Sequence, residues 1–137
     1  MELSKLSRDS KAASEGAWID GMPGMGDFRV KVRGNTSPEV ISRRIQLEQA
    51  ASMDDRNENG MLTIEAQTRI MRQVQHEVVL VDWENLTIDG ETVAYSADMA
   101  ERIIMNPDMV AFRDIVAAAS IKVSSLPGKL DGIVVKN

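Results

Sequence analysis

The residues that could do chemistry are concentrated in one place, the stretch DRNENGMLTIEA from Asp55 to Ala66. Oxygen-bearing side chains stand at its first, third and fifth places (Asp55, Asn57, Asn59), followed by Gly60, Leu62 and Thr63. That spacing is most of an EF-hand calcium loop. The twelfth place, where a glutamate would supply two oxygens, holds Ala66, and Asp55 is the only carboxylate at a usual ligand position. A polar link between two helices, with Asn59-Gly60 making a left-handed turn and Thr63 capping the second helix, accounts for the same residues without a metal. Elsewhere the chemistry thins out. With one histidine, His76, and no cysteine, neither a zinc site nor a cysteine nucleophile is expected. GMPGMG (residues 21–26) lacks phosphate-loop spacing and leads into a strand. The expectation is a protein that is not an enzyme and carries neither cofactor nor metal.

The elements that would position these residues are set by pattern. The chain of 137 residues has a net charge of −5, which offers no general attraction to nucleic acid or to an anionic membrane. No apolar run approaches a membrane span, and the first residues lack the apolar core of a signal peptide. A soluble intracellular protein with one globular domain over residues 17–123 is expected, between a flexible arm at 1–16 and a flexible tail at 124–137.

AWID (17–20) and DFRVKVRG (27–34) read as a β-hairpin. Phe28, Val30 and Val32 form its apolar row and Arg29, Lys31 and Arg33 its basic row. Ser37-Pro38-Glu39 opens a helix ending near Met53, with Val40, Ile41, Arg44, Ile45, Leu47 and Ala51 facing inward. Thr63 caps a second, with Ala66, Ile70, Val74, Val78 and Val81 inward and Met71 beside them. Asp89-Gly90 marks a short loop or hairpin. Ser96 caps a third helix through Met99, Ile103 and Ile104; Asn106-Pro107-Asp108 stops it and starts a fourth, carrying Val110, Phe112, Ile115, Val116 and Ala119. The fold class is α+β, mainly helical, with an N-terminal hairpin and about four helices.

Three features suit contact with a partner. Met22 and Met25 sit in a turn that is normally polar, where they either meet a partner or fold back over Trp18. The basic row could meet an acidic surface or be the solvated face of an edge strand. The apolar tip Ile133, Val134 and Val135 could add to an exposed strand edge of a partner or fold back on the hairpin. Trp83 and Tyr95 are expected to pack together, with Ser96 and Pro107 as architectural markers of the same region.

The order AWIDGMPGMGDFRVKVRGNTSPEV, a helix-loop-helix, then LVDWENLTIDGETVAYSADMAERIIMNPDMVAFRDIVAAAS resembles the small tail assembly chaperones of long-tailed bacteriophages and prophages. The resemblance runs from about Ala17 to Ser120 and is closest at Trp83, Leu86, Gly90, Val93, Tyr95 and Ser96, followed by a helix, Asn106-Pro107-Asp108 and a further helix. It implies a non-enzymatic protein of the host cytoplasm that binds the tape-measure protein, helps recruit tail-tube subunits and leaves self-association open. A structural protein of the tail or head-tail junction is the alternative, and a calcium-responsive helix-loop-helix a more distant one.

Overall fold

The computed structural model describes residues 1–130. The hairpin forms as expected: β1 (Ala17–Ile19) pairs antiparallel with β2 (Arg29–Val32), Trp18 opposite Lys31. Val30 and Val32 are fully buried on one face. The sheet does not stop there. A third strand, β3 (Leu80–Glu84), pairs with the other side of β2, so the order is β1-β2-β3 and β2 is the middle strand.

That strand corrects the reading of the second helix. Thr63 caps α3 (Ile64–Val74) as expected, its Oγ accepting from the Ala66 amide. The α-helix then gives way to a π-helical turn, Gln75–Val79, and Leu80 leaves it in extended conformation. Val78 and Val81 are therefore not on the helix's inward face. The run Val78-Val79-Leu80-Val81 is β-branched and aliphatic, favoured in a strand, and β2 supplies the ladder partners that a longer helix would forgo.

α2 (Pro38–Ala50) begins at Ser37 and ends three residues early, followed by a 3₁₀ turn over Met53–Asp55. Of its expected inward residues Val40 is buried and Leu47 packs on the core, but Ile45 is exposed, because α2 covers α3 with one narrow row. The hairpin at Asp89-Gly90 is present as β4 (Thr87–Ile88) and β5 (Glu91–Thr92). Both turn residues have positive φ, 52° and 83°, the type I′ pattern that matches strand twist. α4 (Ala97–Ile104) is capped by Ser96 and α5 (Val110–Ser124) closes the core with Val116, Ala119 and Val123. Val110, expected inside, is exposed on the first turn of α5.

The N-terminal sixteen residues, expected as a flexible arm, are folded here. A 3₁₀ turn (Leu3–Leu6) precedes α1 (Ser10–Glu15), capped by Asp9. Ala13 is buried, and its carbonyl accepts from the Gly34 amide. A Cβ at Gly34 would collide with Ser124 of α5, so glycine lets the chain leaving β2 run this close to the helix. The tail expected from residue 124 also begins later. Ser124 ends α5, Leu126 packs on the core, and its carbonyl accepts from the Asp9 amide. An isolated bridge joins Arg8 to Pro127. Small polar residues at both ends give little sequence signal, yet they find their hydrogen-bond partners in each other.

Candidate interaction surfaces

Asp55 and Asn57, at the first and third calcium-ligand places, are engaged otherwise. The Asp55 carboxylate lies 2.9 Å from the Arg69 guanidinium, whose hydrogen bond, aided by Ser52, holds the acid below its ordinary value despite partial desolvation. The Asn57 side-chain oxygen accepts from the amides of Asn59 and Met61. The loop is thereby a turn braced by its own side chains, with Gly60 at φ 77°.

Two of the three partner features are used within the molecule. Met25 is buried and Met22 packs on the core, so the GMPGMG turn folds its thioethers inward. The basic row lies on the middle strand, not on an edge. Arg29 stacks over Trp18 at 4.9 Å and pairs with Glu84 at 2.7 Å and Asp20 at 3.3 Å. Arg33 is half-buried and donates to the carbonyls of Ser14 and Val78, both at 2.8 Å. It ties α1 to the π turn. Lys31, opposite Asp82 in register, forms no ion pair among the described residues. Ile133, Val134 and Val135 lie outside the described residues.

The Trp83 region is built as a unit. Trp83 is buried, its indole N–H donates to the Val93 carbonyl at 2.8 Å, and its ring meets Tyr95 edge-on at 5.0 Å. Phe112 of α5 stands at 6.4 Å on another side. Burial, reinforced by Asp82, raises the Tyr95 pKa. Pro107 sits in the turn between α4 and α5, where Arg113 gathers the last carbonyl of α4, Ile104 at 3.0 Å, and two carbonyls of the turn, Asn106 at 2.6 Å and Pro107 at 3.4 Å. A guanidinium there satisfies the orphan acceptors of a helix C-terminus and complements its dipole. Desolvation, and the nearby Arg72 charge, lower the Arg113 pKa.

Beside this unit lies a groove of about 690 Å³ between the β4–β5 hairpin, α4 and α5. Leu86, Ile88, Met99, Ile103, Met109 and Phe112 make it mainly apolar, and Thr87, Arg102 and Asn106 are its polar members. A second groove of about 820 Å³ runs between α2, α3 and α5. Val40, Ile70 and Val74 form its floor, with Met61, Met71 and Ile121 at the rim. Gln75 also lines it, donating to the Arg113 carbonyl while its buried Oε1 has no partner among the described residues. Neither groove is legible in the sequence: the second joins elements distant in the chain, from Asn35 to Ile121, and the first, although built within residues 86–112, depends on how the hairpin, α4 and α5 pack.

A family model described as YdaY prophage protein matches residues 36–130, well over half of the chain. The chain belongs to this family. It is a phage or prophage protein, and the matched region contains the whole Trp83–Tyr95 unit and nearly all the residues of both grooves. No curated protein matches it, and no solved structure does.

Proposed function

We propose that this prophage protein is a non-enzymatic tail assembly chaperone. It acts in the host cytoplasm during virion assembly, where it holds an apolar segment of the tape-measure protein and assists addition of tail-tube subunits. The observation that carries the reading is the apolar groove beside Trp83. It is walled by hydrogen-bonded elements and lies inside the family-matched region. An apolar groove between helices accepts the apolar face of a partner helix as a row of anchors spaced one helical turn apart. The methionines at 99 and 109 let it adapt to more than one such row.

The test is co-expression with the tape-measure protein of the same prophage, comparing the full chain, a chain ending at Leu130, and the variant Ile88→Asp with Met109→Asp. Both substituted side chains are partly exposed, at 45% and 37%, so the fold should survive. Soluble tape measure with the full chain, lost in the double variant, is the expected result. Equal loss with the chain ending at Leu130 would move the contact to the C-terminal residues. Mass spectrometry of purified particles separates this reading from a structural virion protein: fixed copies in the particle would overturn the chaperone.

A further inference from the structure

α3 has two apolar faces. Ala66, Ile70 and Val74 point into the core, while Ile64, Thr68 and Met71 form an i, i+4, i+7 ladder on the outside. Ile64 is 80% and Met71 65% exposed; nearby Met61 is 63% and Ile121 56% exposed. At those exposures the four side chains present on the order of 500 Å², within the roughly 300–600 Å² of the largest patch on a typical monomer. It is also near the apolar share of the roughly 800 Å² per chain that a stable interface buries.

The charges beside the ladder identify what covers it. Glu65 in the first turn and Arg72 in the last lie seven residues apart on the same flank of α3. Neither has an ion-pair partner among the described residues. Two such helices packed antiparallel bring the same flanks together, so Glu65 of each copy meets Arg72 of the other. A helix of unrelated sequence would have to supply both charges in reverse order, whereas a second copy supplies them by symmetry. The rim residues and the groove they border lie in one patch, as a self-complementary interface requires.

We propose that the chain forms a twofold dimer in which the α3 helices of two copies pack antiparallel through Ile64, Thr68 and Met71, flanked by reciprocal Glu65–Arg72 pairs. The surface is separate from the groove beside Trp83, and the inference does not depend on the chaperone reading.

Sedimentation of the full chain over a range of concentrations tests it. The unaltered protein should be a dimer, and Ile64→Asp should make it a monomer with an unchanged circular dichroism spectrum. Glu65→Arg alone, or Arg72→Glu alone, replaces both attractive pairs by like charges and should weaken dimerisation roughly tenfold or more at low salt. The double variant Glu65→Arg with Arg72→Glu should restore it, because the reversed pair is again complementary. A protein that is monomeric at all accessible concentrations would overturn the proposal, including one whose α3 face is protected only by another tail protein. So would a dimer indifferent to Ile64→Asp, or a double variant no better than the single ones.

Discussion

The grooves beside Trp83 and beside Met71 are similar in size and both apolar, yet their walls are held in different ways. At the first, an indole N–H fixes the segment after the hairpin, two aromatic rings bracket Trp83, and Arg113 clamps the turn between α4 and α5. At the second, the rim is made of long exposed side chains, and its only ion pair among the described residues is the loose i,i+4 contact of Arg44 with Glu48 at 3.7 Å. A wall locked by internal hydrogen bonds keeps its shape before any partner arrives, so little ordering free energy is lost on binding. A rim of exposed methionines acquires a fixed shape only against another surface.

The largest expected effect comes from breaking the locked side. Trp83→Ala removes a buried ring, its edge-on contact with Tyr95 and the donor to Val93, and should lower stability by about 3–5 kcal/mol, read by urea denaturation. Ile64→Asp, on the other side, should change the stability of the single chain by less than about 0.5 kcal/mol. Comparable losses in both variants would erase the distinction between the grooves.

Arg113→Met comes next. It keeps the aliphatic stem but leaves the carbonyls at the end of α4 without a cationic donor. The expected cost is about 1.5–3 kcal/mol, with hydrogen exchange fastest in the last turn of α4. An exchange pattern unchanged there would show that solvent replaces the clamp.

The smallest effect concerns the loop that leads into α3. The Arg69 hydrogen bond, then Ser52, lowers the Asp55 pKa below its ordinary value, against a desolvation that works the other way. Because the folded value lies below the unfolded one, the pair favours the folded state above the unfolded pKa, and this contribution is lost as pH falls through the folded value. In Arg69→Ala the Asp55 midpoint, followed by carboxyl NMR, should move up toward the ordinary range. A midpoint that stays low would assign the shift to Ser52 and the loop backbone.

Local signals carried much of the fold. Ser37-Pro38, Thr63, Ser96 and Asp89-Gly90 each name their own structure, since a cap or a tight turn depends on neighbours in sequence. The pairing of Trp83 with Tyr95 was legible for the same reason. The features that escaped depend on distant partners. Val78 and Val81 fit a helical period equally well, and only the free edge of β2 turns them into a strand entrance. Arg33 looks like its neighbours in the basic row until the fold brings the carbonyls of Ser14 and Val78 to it. Met25 is buried because Phe28 and the sheet fold the turn inward. The outer ladder of α3 is visible in the spacing of Ile64 and Met71, but the inner row has the stronger period.

The middle position of β2 has a consequence in time. Arg29 and Glu84, which face each other across β2 and β3, are 55 residues apart in the chain. At a synthesis rate of about 5–20 residues per second, β2 leaves the ribosome several seconds before its second neighbour exists. Through that interval one edge of β2 is open, and Arg29, Lys31 and Arg33 are the residues that discourage a stray strand from pairing there. Two of these residues, Arg29 and Arg33, later bond to Glu84 and to the Val78 carbonyl, so charges that guard the nascent strand also close the finished sheet.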